Sequence, residues 1–126
     1  VKEDNLQISK FTSELIDVVS VYRSKDCRLK FQDVFKNMLS EKKPSLIIGD
    51  MNICYQQHRR DKDIQYMEDK KFKQLVNGAT HIMGGQIDHA YLNDKESKVR
   101  SVSVDQYSPY YTSRDHDALL ITIIYK

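Results

Sequence analysis

Four places in this chain set acids, amides, phenols or imidazoles at the end of an apolar run: Tyr22-Arg23, Asp50-Met51-Asn52, Asp88-His89 and Asp115-His116-Asp117. A carboxylate can take a proton from water or hold a cation, an amide can hold a phosphate oxygen, and an imidazole titrates near neutrality. Together these residue types are candidates for contacts to a metal, to water or to a phosphate. Asp50 and Asn52 close the run Ser45-Leu46-Ile47-Ile48-Gly49, which reads as a buried strand, and their spacing of two sends both side chains to the same side. Open α/β sheets place ligands at such strand ends. Gly, Asp and Asn are also turn formers, so this motif alone is equally a turn. Tyr22-Arg23 likewise reads either as a phosphate contact or as an anchoring aromatic beside a solvated charge.

Several elements have to position these residues. Leu6, Ile8, Ile16, Val18, Val19 and Val21, interrupted by polar Thr12-Ser13-Glu14, predict an antiparallel hairpin over Leu6 to Arg23. Leu29, Phe31, Val34, Phe35, Met38 and Leu39 recur at helical spacing from Cys27 to Glu41, and Lys42-Lys43-Pro44 ends that helix. Strand, helix, strand implies a crossover between parallel strands. Ile53 to Tyr66 reads as a polar surface loop. Its His58, Arg59, Arg60 and Lys62 are either a phosphate-facing cluster or ordinary solvated charges.

Met67 to Asn77 predicts a short amphipathic helix stopped by Asn77-Gly78. Thr80 to Met83, Gln86 to Leu92, Val99 to Val104 and Ala118 to Tyr125 predict strands, with a tyrosine-rich loop from Tyr107 to Asp117 between the last two. The fold class expected is α/β (α+β), a mixed sheet with two helices on one face.

At 126 residues the chain predicts one domain, and its net charge of +2 is too mild to demand a nucleic-acid partner by itself. No apolar run reaches the roughly 20 residues of a membrane helix, and no basic-then-apolar leader opens the sequence, so no membrane partner is expected. Cys27 and Cys54 lack zinc-site or disulfide-framework spacing and read as reduced thiols, which favours the cell interior, nuclear or cytoplasmic.

Taken in order, Val21-Tyr22, Gly49-Asp50-Met51-Asn52, Ile87-Asp88-His89 and Ser113-Arg114-Asp115-His116 resemble the strand-end motifs of the endonuclease/exonuclease/phosphatase superfamily. Gly84-Gly85-Gln86-Ile87-Asp88-His89 is most similar to the endonuclease domains of mobile elements, alongside the abasic-site endonucleases. The resemblance covers nearly all of the chain and matches the second half of that four-layer α/β sandwich. Arg114 stands where the family places Ser directly before Asp. The family's first half supplies an Asn and the metal-holding Glu, and neither Glu3 nor Glu14 sits in a matching context.

The resemblance implies a role for each residue. Asp50 orients or deprotonates water, and Asn52 holds a phosphate oxygen. His116 stabilises charge on the phosphorane, Asp88 fixes its ring, and Tyr22 contacts the scissile phosphate. Asp115 and Asp50 hold Mg²⁺ (or Mn²⁺), while Arg23, Arg59, Arg60 and Lys62 position a nucleic-acid backbone. Two functions are therefore expected. One is metal-dependent phosphodiester hydrolysis of the endonuclease type, with a site that this chain alone leaves incomplete. There an N-terminal half-domain would complete the site. The other function is an inactive truncated domain acting as a binding or structural module, its exposed face covered by a second copy in a homodimer.

Overall fold

In β2 (Leu6–Thr12) Leu6 and Ile8 are buried at alternate positions, as are Asp17, Val19 and Val21 in β3 (Asp17–Arg23), and the two strands pair antiparallel as a hairpin. Ser13 closes the connection: its Oγ accepts from the Leu15 and Ile16 amides and donates to the Ile16 carbonyl. The computed structural model describes residues 2–3 (backbone only), 6–27, 30–36, 38–39, 42–108 and 115–126. Leu29, Glu41, Tyr110, Tyr111, Ser113 and Arg114, all used in the sequence reading, lie outside the described residues.

β3 continues through α1 (Phe31–Phe35) into β4 (Ser45–Asp50), which pairs with β3 in parallel as the crossover requires. Gly49 makes that pairing possible. Its φ is 149°, and a β-carbon there would lie 1.7 Å from the Val21 carbonyl oxygen. Beyond β4 come α2 (Lys62–Asp69), β5 (Lys73–Gln74) and β6 (Asp88–Asn93), the last antiparallel to β4. With β1 (Lys2–Glu3) at one edge, the sheet runs β1-β2-β3-β4-β6-β5. A separate two-stranded ribbon is formed by β7 (Val99–Tyr107) and β8 (Ala118–Tyr125). The fold is mixed α+β, as expected.

Leu6, Ile8, Val19, Val21, Ile47 and Tyr91 project from one face of the sheet and bury against Phe31, Phe35 and Met67. Both helices therefore cover this packed face, and they touch one another. The opposite face carries the alternate residues: Gln7, Tyr22, Asp50 and Asp88 form one row across β2, β3, β4 and β6.

Several boundaries differ from the expectation. The helix expected over Cys27 to Glu41 is described only as α1, little more than a turn. Phe and Val are weak helix formers, and Lys30 provides no side-chain cap. The second helix begins at Lys62 rather than Met67, inside the supposed loop. The Asp61 carboxylate caps it by accepting from the Asp63 amide at 2.8 Å, and Ile64 and Met67 supply its buried stripe.

That helix ends at Asp69, Lys71 turns the chain out of the helical region with a φ of 66°, and Lys73-Gln74 then joins the sheet edge as β5. Thr80 to Met83 is a turn rather than a strand, apart from one bridge between His81 and His116. β7 runs on to Tyr107, past the expected end at Val104. Among the described residues, no helix is long and apolar enough to cross a membrane.

Candidate functional site

Register does most of the assembly. Tyr22 lies opposite Asp50 in the β3–β4 pair, and Asp50 opposite Asp88 in the β4–β6 pair. Three residues far apart in sequence thus stand side by side on this second face, at one end of the sheet, while Leu46, Ala90 and Leu92 further along the same face are buried. His116 arrives from the foot of β8, held there by the short segment Thr80–Ile82, expected as a strand and found as a turn. The Ile82 amide donates to the Asp115 carbonyl at 2.7 Å, and the Asp117 amide to the Thr80 carbonyl at 2.6 Å. Thr80, fully buried, also accepts from the Asp88 amide through Oγ1 at 3.0 Å. Thr80–Ile82 therefore fixes Asp88 and His116 relative to one another.

The His116 ring is clamped between the two acids. Its Nδ1 donates to Asp88 Oδ2 at 2.8 Å, and its Nε2 faces Asp50 Oδ2 at 3.6 Å. All three residues can present ligand atoms within 4.8 Å of one another. Their side chains stay partly open to solvent, at 35 % for His116, 19 % for Asp50 and 14 % for Asp88. Asp50 is oriented from its other side, because the Asn52 amide donates to Oδ1 at 3.0 Å while Asn52 adopts a left-handed φ of 50°. His81 packs edge-on to His116 with ring centroids 4.9 Å apart. Its Nδ1 accepts from the Met83 amide, which puts the proton of the neutral ring on Nε2.

Electrostatics follow from this packing. Burial raises the Asp50 pKa, and the neighbouring Asp88 charge raises it further, against the Asn52 amide, His116 and His81, which pull it down. Burial alone would depress His116. The hydrogen bond and charge of Asp88, with Asp50 and Asp115 behind them, outweigh it and leave the pKa above the ordinary imidazole value. The site thus holds a carboxylate that is a stronger base than usual and an imidazole biased toward its charged form.

The other expected residues are placed as follows. Tyr22 is 47 % exposed beside Asp50. Asn52 has its side-chain amide engaged, since Nδ2 donates to the Arg23 carbonyl, leaving one of its two N–H groups for a ligand. Asp115 is exposed and outside the three-residue group, although its charge is felt at His116.

Arg23 is not brought to the face that carries Asp50 and Asp88. Its guanidinium bonds to the Met51 and Cys27 carbonyls and pairs with Asp63 at 3.7 Å, tying strand ends to α2. Arg59 stands over the Tyr55 ring at 4.5 Å and pairs with Glu68 at 3.6 Å. Arg60 and Lys62 are exposed, Arg60 in the loop and Lys62 on the first turn of α2.

His89 belongs to the packed face: its Nε2 donates to the Ile53 and Gln86 carbonyls and its Nδ1 accepts from the Tyr91 hydroxyl. Thr80 and His81 are site residues that the sequence expectations do not include. The signal available was a hydroxyl and an imidazole together in an apolar stretch just before Asp88.

Neither protein-family models, nor curated proteins, nor solved structures contain a match to this chain.

Proposed function

We propose that this site hydrolyses a phosphodiester of nucleic acid with the help of a divalent cation. One observation carries the reading: Asp50, Asp88 and His116, from three separate elements, converge within 4.8 Å with His116 hydrogen-bonded to Asp88. The resemblance to the endonuclease/exonuclease/phosphatase superfamily, in which these positions carry the chemistry, supports the same reading.

Asp50 orients the attacking water and takes its proton. His116, oriented by Asp88 and biased toward the charged form, stabilises charge on the phosphorane and protonates the leaving oxygen. Asn52 and Tyr22 flank Asp50 and contact the phosphate. The donor set fits a hard cation through Asp50, whose Oδ2 is the site's carboxylate oxygen directed away from the Asn52 amide. Asp50 would hold Mg²⁺ or Mn²⁺, which supplies charge neutralisation at the phosphate. Exposed Arg60 and Lys62 are suited to backbone phosphates at a distance from the site.

Nicking of supercoiled DNA in Mg²⁺ or Mn²⁺ tests this. Asp50→Asn and His116→Ala should each slow nicking by about 10²- to 10⁴-fold, and variants that nick as fast as the parent refute the assignment.

A second reading, a module that docks a second copy of the chain, is favoured by the exposure of Phe11 (66 %), Leu120 (52 %) and Ile124 (49 %). A monomeric mass at high concentration, measured by light scattering, eliminates it.

A further inference from the structure

We propose that a cavity at the far end of the sheet from Asp50 binds a small aromatic acid of one ring. Ser45 opens β4 and Asp50 closes it, about 16 Å apart along the strand, and their side chains leave on opposite faces. The cavity is therefore separate from the hydrolytic site, and the inference stands whatever that site does.

Ser45 shares the packed face with Ile47, and the cavity lies there between the ends of α1 and α2 and the far end of β6. Its volume is about 120 Å³. An apolar cavity of roughly 150 Å³ holds one benzene, so this one suits a single ring whose substituent projects outward. Phe35 and Phe72, both buried, line it together with half-buried Leu39 and Tyr66. Three aromatic side chains and one aliphatic one are thus available to an apolar ring.

The charge at the mouth is of one sign. Lys36, Lys70 and Lys95 are exposed there, and among the described lining residues none is acidic. Lys70 stands over the Tyr66 ring at 5.9 Å, which keeps its charge beside the opening. Asp94, Glu96 and Asp17, the acids beside Lys95 and Ser45, are engaged elsewhere. Asp94 accepts from the Lys98 and Val99 amides, Glu96 pairs with Lys98 at 3.2 Å, and Asp17 pairs with Lys43 at 3.2 Å. The Lys70 carbonyl at the end of α2, which would repel an anion, accepts from Asn93 Nδ2 at 2.6 Å.

The floor shows what the other end of the ligand carries. Ser45 lines the cavity and is 2 % exposed, and its Oγ has no hydrogen-bond partner among the described residues. A buried hydroxyl left unpaired is costly, and a ligand oxygen that reaches it recovers the bond. A ring with a carboxylate at one end and a hydroxyl at the other satisfies the lysines and Ser45 together, and para-hydroxybenzoate is the simplest molecule of that kind.

Titration of the whole chain with para-hydroxybenzoate, followed by backbone amide NMR, tests this without any need for turnover. Saturable shifts are expected at Leu39, Ser45, Tyr66, Phe72 and Asn93, with Asp50, Asp88 and His116 unmoved. The neutral para-hydroxybenzamide should bind at least about tenfold more weakly. Lys70→Gln combined with Lys95→Gln should weaken the acid by about tenfold and leave the amide unchanged. Ser45→Ala should weaken para-hydroxybenzoate by about three- to tenfold and leave benzoate unchanged, a split that a loosened fold would not produce.

The proposal is overturned by the absence of saturable shifts at the solubility limit of the probe, by equal affinity for the acid and its amide, or by shifts centred on Asp50 and His116. Equal weakening of para-hydroxybenzoate and benzoate in Ser45→Ala overturns it as well.

Discussion

The two faces of the six-stranded sheet treat the same residue types in opposite ways. On the packed face His89, 1 % exposed, satisfies both ring nitrogens with neutral partners, and burial pushes its pKa below the ordinary value. At the partly exposed end of the other face His116 meets two carboxylates, and its pKa is driven up. One imidazole is built to stay neutral and hold strands together, the other to carry a proton or a cation. Asp88 and His89, adjacent in sequence, fall on different faces for no reason other than strand alternation. A similar contrast separates the sheet from the ribbon: β4 and β6 contain fully buried residues, while β7 and β8 contain none.

Substitutions can break this comparison or sharpen it. The largest effect is expected from Gly49→Ala, which strikes both faces at once by forcing β3 and β4 apart. It should cost more than about 4 kcal/mol and leave little folded protein in a urea titration. Ile47→Ala on the packed face should cost about 2 to 5 kcal/mol, whereas Ile121→Ala on the half-buried ribbon should cost about 1 kcal/mol. Equal losses would mean that the ribbon is as firmly packed as the sheet.

Thr80→Val removes the acceptor for the Asp88 amide and should cost about 1 to 3 kcal/mol. It should also raise the mobility of the His116 ring, observable as broadened imidazole signals in NMR spectra.

The smallest effect is the dependence of stability on pH, where the two imidazoles act with opposite sign. The His116 contribution is complete below the unfolded value near 6.5 and fades as pH rises through its raised folded value. His89, depressed when folded, contributes fully above the unfolded value and loses that contribution as pH falls toward its folded one. His89→Gln should therefore flatten the acid side of the stability curve and His116→Gln the alkaline side. A curve that changes on the same side for both would remove the distinction between the faces.

Much of the fold was legible because the sheet writes itself as alternation. The β2–β3 hairpin follows from it, β4 and the closing strand β8 follow from short apolar runs instead, and the parallel crossover follows from the helix between β3 and β4. α2 was misplaced because its first turn is disguised by basic and polar residues, and the cap at Asp61 carries no apolar signal. β5 is too short to show a period.

At the site, Asp50, Asn52, Asp88 and His116 were legible as chemistry at strand ends. That Tyr22, Asp50 and Asp88 form one row is a matter of register, which spacing within a strand does not encode. Arg23 was misread for a related reason. Its strand end suggested exposure, but Asp63 on the neighbouring α2 draws the guanidinium inward. Thr80 and His81 act through tertiary bonds to Asp88 and His116 that no local pattern announces.

The close approach at Gly49 also limits how the protein can change over time. With no room for a side chain between Val21 and the residue before Asp50, the position of that acid along β4 is nailed to the frame. Variation in what the site accepts must then enter from its other walls, through the turn at His81–Gly84 or the approach to His116, while the carboxylate stays where the backbone puts it.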